Sequence, residues 1–348
     1  MKFRTWINII TIVLLALAIY LGRHQITQAW GLMGHVNITL YLLIIPIQLM
    51  SYYAVGEVMF SYLRSKGDLM NFTKWRMARV ALELNFVNHI IPVPTFAGFS
   101  YLGWILGRDD GVSAGRATMA QIIRYVMMFA SFMALILMSV IFLSLDKGVD
   151  RLLISISVAM SFATIFSAFV LIYFLSSKTR MMQAAKYVTL FANAITKFVT
   201  FGRKQNVLNT DKVKKFFDDM YLDYVEIQRD YKILLKPLMW AVIANVLDMC
   251  LIAVAFLALG YWVNPATLFV ALGISSFVAI FAATPGGSGV YEAIMIAFLV
   301  SAGVPAEVAI AGTLLARVTL FAGTIGFGFI FYQLTISKYG KIEKPTNL

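Results

Sequence analysis

The segment 281–298, FAATPGGSGVYEAIMIAF, combines a helix break with residues suited to anion binding. Pro285 lacks a backbone N–H and clashes with the preceding turn, so a helix is predicted to end near Thr284. Glycine permits positive φ and lets a ligand approach the backbone closely. A helix starting after the break would present backbone N–H donors and a partial positive charge, which suit a phosphate group. The candidate anion-binding residues are Gly286, Gly287, Ser288, Gly289 and Tyr291.

Two arginines, Arg124 and Arg317, lie inside apolar segments. A guanidinium in the hydrocarbon region is costly unless an acidic partner or a polar cavity accommodates it. The intramembrane acids are Glu292, Asp248, Glu83 and Glu57. One interpretation is a neutral pair, such as Glu292 with Arg317, that only holds helices together. The glycine loop favours a binding role, in which Arg317 holds a phosphate and Glu292 holds a cationic group or gates the arginine.

Arg124, Asp248 and Glu83 are further candidates for substrate binding, and Asp248 is a second carboxylate that could relay protons. Glu57 is expected to have a structural role near the cytoplasmic interface. Three polar residues precede an earlier break at helical spacing, and they either face the same cavity or satisfy freed backbone carbonyls; they are Asn85, Asn88 and His89.

The sequence lacks the common motifs of soluble catalytic domains. It contains no P-loop, nucleophile elbow, zinc motif or dinucleotide-binding loop. Its three histidines have no metal-ligand spacing, and its single cysteine, Cys250, excludes a disulfide framework within the chain. We therefore expect no enzymatic activity, no catalytic residue, no cofactor and no metal site.

The composition indicates the elements that position these residues. Of the 348 residues, 60% are hydrophobic and only 13% are charged, and the mean hydropathy is +0.80. Soluble domains are rarely so apolar, so the chain is predicted to be an all-α polytopic membrane protein. Lys2 and Arg4 precede an apolar run that ends at Leu21, which is either a signal peptide or, as parity favours, a retained first helix.

The net charge of +12 follows the predicted topology. Most of the 29 Lys and Arg residues lie in the termini and in the loops 64–79, 108–116 and 177–236, which places these regions in the cytoplasm. Because the bias follows topology, nucleic acid is not an expected partner. The insertion 177–236 carries aromatic residues at helical spacing, so it is predicted to be a cytoplasmic amphipathic helix packed on the membrane surface or on neighbouring helices.

Full-length apolar segments are predicted at 5–22, 36–63, 117–143, 152–176, 237–260 and 305–334. Segments 80–107 and 266–302 are interrupted by IIPVPTFAG and TPGGSG, and their halves are mostly shorter than the ~20 residues that a span requires. If both segments are re-entrant hairpins, the basic loops and both termini are cytoplasmic. The fold prediction is therefore six full spans and two re-entrant broken-helix hairpins.

The order of spans and hairpins predicts an inverted-topology repeat within one integral membrane domain, 1–348. The first repeat covers 1–146, and the second covers 147–176 plus 237–335. Equal spacings separate Pro92 from Arg124 and Pro285 from Arg317. The segments GVSAGRATMAQIIRYV and GVPAEVAIAGTLLARV are also alike up to the intramembrane arginine, although chance similarity between helices rich in glycine and alanine is a competing explanation.

Two motifs, NFVNHIIPVPTFAG…RATMAQIIRYV and TPGGSGVYEA…LLARVTLFAGTIGFGFIFY, carry a family resemblance. The chain resembles, over nearly its whole length, the transmembrane flippase region of the lysylphosphatidylglycerol synthetases, the multiple peptide resistance factor family. PGGSGVYEA with the downstream Arg317 is the most specific part. In the first half, PVPTFAGFSY departs from the Pro-Gly and Gly-Gly pairs of that family. The aminoacyl-transferring domain of the family is absent from this sequence.

The resemblance implies that the chain moves an anionic or aminoacylated phospholipid across the plasma membrane. The alternatives are a polyprenyl-phosphate-linked carrier and a non-transporting subunit that docks a lipid synthase or glycosyltransferase. A transporter needs a lateral opening lined by the charges, whereas a docking subunit should have them neutralised and sealed. Expected partners are the phospholipid and the membrane, and a homodimer is a further option.

Overall fold

The computed structural model describes residues 31, 34–90, 94–145, 155, 162, 166, 169–170, 172–199, 210–279 and 287–339. These residues form helices and turns, without a β-strand among them. The helices are α1 (Ile38–Leu42), α2 (Ile44–Ser65), α3 (Lys74–Ile90), α4 (Pro94–Asp110), α5 (Ala114–Leu145), α6 (Lys178–Val199), α7 (Thr210–Arg229), α8 (Leu235–Ala258), α9 (Pro265–Ala279), α10 (Val290–Ser301) and α11 (Ala306–Tyr339).

Four helical segments in the described part of the chain are long and apolar enough to cross a membrane: Ile38–Ser65, Ala114–Leu143, Tyr231–Ala258 and Ala306–Lys338. They coincide with four of the six spans predicted from the sequence. The predicted span 5–22 and most of the span 152–176 lie outside the described residues, as do Pro92, Pro285 and Gly286. The protein is thus an all-helical membrane protein.

Two hairpins consist of shorter helices. α3 and α4 have 17 residues each and pack on each other. α9 has 15 residues and α10 has 12, and they also pack on each other. At 1.5 Å per residue, α9 is roughly 22 Å long, which is less than the ~30 Å hydrocarbon core. The short halves agree with the predicted hairpins, whereas membrane sidedness, re-entrance and the inverted repeat stay predictions.

The chain divides into two compact units. Unit 1 comprises Met1–Ser51, Ala134–Ser157 and Val246–Gly323, and it includes the α9–α10 hairpin. Unit 2 comprises Tyr52–Met133, Val158–Asn245 and Thr324–Leu348, and it includes the α3–α4 hairpin. In each unit, the hairpin is followed by a long helix that carries an arginine: Arg317 on α11 in unit 1 and Arg124 on α5 in unit 2.

Helix α7 is the amphipathic helix predicted within the insertion 177–236. Its residues Met220 and Tyr224 are buried in the hydrophobic core of unit 2, and Phe216 and Phe217 pack against that core. The sequence predicted packing either on the membrane surface or on neighbouring helices, and these residues pack on neighbouring helices. Arg116 of α5 reinforces the contact through an ion pair with Asp223 at 3.3 Å.

Candidate functional site

Arg317 and Glu292 form an ion pair in unit 1. The Arg317 Nε donates to Glu292 Oε1 at 2.7 Å, and the side chains are only 11% and 14% exposed. The guanidinium also lies over two aromatic rings, at 4.3 Å from the Tyr291 centroid and 4.6 Å from the Phe321 centroid. These contacts hold the arginine by charge and by its stacking face.

The second oxygen of Glu292 closes the start of α10. Gly289 is the N-cap residue of this helix, and its backbone N–H donates to Glu292 Oε2 at 2.6 Å. A glutamate at the third helical position commonly reaches back in this way and satisfies a donor at the helix start. Glu292 therefore binds both an N–H donor of the break and the guanidinium, the two groups that the sequence assigned to a phosphate.

Two glycines of the break adopt positive φ, as predicted. Gly287 has φ +69 and Gly289 has φ +89. Gly287 is also buried against α9, because a Cβ atom there would lie 2.5 Å from the Cβ of Ala279. Gly289 has open space around the same position. Ser288 is half-buried between them, and ligand binding by this loop stays a prediction.

A cavity of about 150 Å³ lies beside the ion pair in unit 1. Its polar and charged lining residues are Asp248, Ser276, Tyr291, Thr313 and Arg317. Asp248 of α8 accepts a 2.5 Å hydrogen bond from the Ser51 hydroxyl of α2. The fold therefore brings Asp248, Tyr291 and Arg317 to one cavity, as expected of a binding site.

Arg124 lies in unit 2, where it is 9% exposed. Its guanidinium stacks on the Tyr125 ring at 4.4 Å, and its buried Nε has no hydrogen-bond partner in the part of the chain that the structure describes. It lines a small cavity of about 10 Å³ with Asn85 and Tyr52. Asn85 thus lies beside an intramembrane arginine, but this arginine is Arg124 of unit 2 and not Arg317 of unit 1.

Glu83 has a full set of partners in unit 2. Its carboxylate accepts hydrogen bonds from Arg79 Nε at 2.9 Å, from the Tyr101 hydroxyl at 2.5 Å and from the Thr335 hydroxyl at 2.6 Å. The residue is 1% exposed. This arrangement favours a structural role, because a buried carboxylate with several donors stabilises the helices that supply them. Glu57 forms an ion pair with Arg64, in keeping with its expected structural role.

The remaining polar residues before the first break are placed in part. Asn88 abuts Gly98, since a Cβ atom at Gly98 would lie 2.1 Å from Asn88 Oδ1. Gln121 donates to the Gly98 carbonyl at 3.3 Å and was not singled out by the sequence. The His89 side chain lies outside the described residues.

Sequence reasoning also missed Ser51 and Thr313. Thr313 precedes Arg317 by one helical turn on α11, so helical spacing could have placed both side chains on one face. No comparable local signal indicates Ser51, whose partner Asp248 is distant in the chain.

Apolar spanning helices and a charged cavity beside a broken helix define a polytopic helical membrane protein with an internal polar site. Residues 7–328 match the family described as the lysylphosphatidylglycerol synthase TM region, and the chain belongs to this family. The family resemblance predicted from the sequence is thereby confirmed, and membership supports a lipid-related role in a membrane. Comparisons with curated proteins and with solved structures found no match.

Proposed function

We propose that this protein translocates an anionic or aminoacylated phospholipid between the leaflets of the plasma membrane, with both termini in the cytoplasm. The observation that carries the proposal is the convergence of the Gly289 N–H and the Arg317 guanidinium on one carboxylate beside a cavity. A phosphate accepts hydrogen bonds from the same two donors, a helix N-terminus and an arginine fork.

In this proposal, Glu292 occupies the phosphate position when no lipid is bound. An incoming phosphate competes with the Glu292 carboxylate for Arg317 and for the Gly289 N–H. Displacing Glu292 leaves a buried carboxylate without its partner, which costs roughly 3–5 kcal/mol. An aminoacylated headgroup offsets this cost. Its phosphate takes Arg317 away from Glu292, and its amine supplies Glu292 with a new positive charge. Glu292 then acts as both gate and amine ligand.

The size of the cavity limits what enters it. At about 150 Å³, the cavity is far smaller than a whole phospholipid. We infer that the headgroup enters the protein while the chains stay in the bilayer.

The test compares single and double substitutions of the ion pair in proteoliposomes that contain a fluorescent phospholipid. Arg317→Ala and Glu292→Ala should each destabilise the protein by about 3–5 kcal/mol, since each leaves a buried charge unpaired. The double variant Arg317→Met, Glu292→Leu should recover thermal stability but not lipid translocation. Full translocation by this double variant would show that the pair only holds helices together.

The control is the ion pair between Arg64 and Glu57, which lies in unit 2 and has a buried carboxylate. Arg64→Met, Glu57→Leu removes a comparable pair outside the cavity. We expect this variant to fold and to translocate lipid at the wild-type rate.

A further inference from the structure

Thr313 carries a buried hydroxyl that has no hydrogen-bond partner among the described residues. The residue is 1% exposed and lines the cavity of unit 1. Three other buried serine and threonine hydroxyls on helices behave differently. Those of Ser139, Thr189 and Ser275 each donate to the carbonyl four residues earlier, at 2.8, 2.7 and 2.7 Å. Burying a hydroxyl without a partner is costly, so an unpartnered hydroxyl on a residue that lines the cavity favours a ligand at this place.

Asp248 lines the same cavity without a cationic partner among the described residues. Its one hydrogen bond in that part of the chain comes from the Ser51 hydroxyl. Arg317 does not neutralise Asp248, since its ion pair is with Glu292. The site therefore contains two carboxylates and one guanidinium, and an ionised Asp248 leaves one negative charge uncompensated.

The donor set around this charge consists largely of oxygen atoms. Asp248 supplies a carboxylate, Thr313 and Ser276 supply hydroxyls, and the Ser51 oxygen keeps its lone pairs after donating its proton to Asp248. The other polar groups that face the cavity are Tyr291 and Arg317. Carboxylate and hydroxyl oxygens suit hard cations, and a single negative charge is balanced by a monovalent ion.

We propose that Asp248 and Thr313 form a sodium-binding site and that sodium accompanies the lipid through the transport cycle. Transporters with broken helices commonly place coupling-ion and substrate sites close together near the bilayer midplane. This site differs from the sequence analysis, which predicted no metal site. The proposed ligands lie on two different helices, α8 and α11, so no sequence motif contains both of them. Sodium binding stands by itself, whereas its coupling to lipid rests on the proposed function.

The binding test measures the thermal unfolding midpoint of the purified full chain in detergent. Sodium chloride is exchanged against potassium or choline chloride at constant ionic strength. Selective binding to the folded state should raise the midpoint by a few degrees in a saturable way. An equal response to all three salts, or a response to pH alone, overturns the sodium site.

Thr313→Val is the decisive variant, because it removes an oxygen that makes no hydrogen bond within the described part of the chain. We expect its midpoint without sodium to equal or exceed that of the wild type, and its sodium response to be lost. Asp248→Asn should also lose the response. Thr189→Val, at another buried helical threonine, should keep it. A wild-type sodium response in Thr313→Val contradicts the assignment.

Coupling is tested separately by imposing a sodium gradient across the proteoliposomes. A change in translocation rate with the direction of the gradient, absent in Thr313→Val, supports coupling. A selective sodium response of the midpoint without any lipid movement leaves the cation site in place and overturns the proposed function. Lipid movement without a selective sodium response overturns only the cation site.

Discussion

At the scale of residues, Glu292 has two roles that a sequence motif does not separate. It caps α10 through the Gly289 N–H, and it neutralises Arg317. The first contact satisfies a backbone donor at the start of the helix, and the second neutralises a largely buried guanidinium. The same two contacts define where an anion binds, so the pairing that stabilises the fold also marks the proposed phosphate position.

The two positive-φ glycines of the break should respond differently to alanine. Gly289→Ala should cost about 1–2 kcal/mol from backbone strain alone, since open space surrounds its Cβ position. Gly287→Ala should cost a further 1–3 kcal/mol or so, because its new methyl group meets Ala279. Thermal unfolding measures both, and adding Ala279→Gly to Gly287→Ala should recover only the packing part of the loss.

Gly303 is a matched control for strain. It has φ +88 and open space around its Cβ position, like Gly289, but it follows the end of α10 rather than its start. Gly303→Ala should therefore lose similar stability without losing translocation. Equal translocation in the Gly289 and Gly303 variants would argue against a ligand at the start of α10.

At the scale of elements, α7 is held to unit 2 by charge as well as by apolar contact. Asp223 is 1% exposed beside Arg116, and Glu226 accepts a hydrogen bond from Lys66. Burial raises the pKa of Asp223 above its ordinary 3.8, while the Arg116 guanidinium opposes the shift. The hydrogen bond from Lys66 lowers the pKa of Glu226 below its ordinary 4.5.

These opposite shifts predict opposite dependences of stability on pH. The folded state holds the Asp223 proton more tightly, so the stability from this group is present below pH 3.8 and is lost as the pH rises through the folded-state pKa. Glu226 contributes above pH 4.5 and loses its contribution as the pH falls through its own folded-state pKa. Its effect should be small, since its side chain is 52% exposed.

Unfolding midpoints measured across pH test both groups. The unfolding midpoint of Asp223→Asn should fall less than that of the wild type as the pH rises above 3.8, even if the variant is less stable throughout. The midpoint of Glu226→Gln should fall slightly less than that of the wild type on acidification below pH 4.5. Slopes identical to those of the wild type in both variants would show that folding shifts the pKa of neither carboxyl group.

At the scale of the whole molecule, the basic loops predict the topology. Single cysteines introduced into a Cys250→Ser background and labelled with an impermeant thiol reagent should place positions 110, 204 and the C-terminus on the cytoplasmic side. Position 148 should be labelled from outside. Finding position 110 outside and position 148 on the cytoplasmic side would contradict the first re-entrant hairpin and, with it, the inverted repeat.

The sequence alone determined the features that depend on a few neighbouring residues. Apolar runs of sufficient length indicated four spans that the structure describes, and the glycines of TPGGSG indicated positive φ at Gly287 and Gly289. Aromatic residues at helical spacing indicated the packed face of α7. Hydropathy, backbone sterics and helical periodicity act locally, so these features can be read without the rest of the fold.

Only the tertiary structure decided which polar groups meet. It paired Asp248 with Ser51, enclosed Glu83 among three donors and left the buried Thr313 hydroxyl without a partner among the described residues. Each outcome depends on helices that are distant in sequence and that pack side by side. Local pattern shows that a charge lies within an apolar segment, but its partner is set by long-range packing.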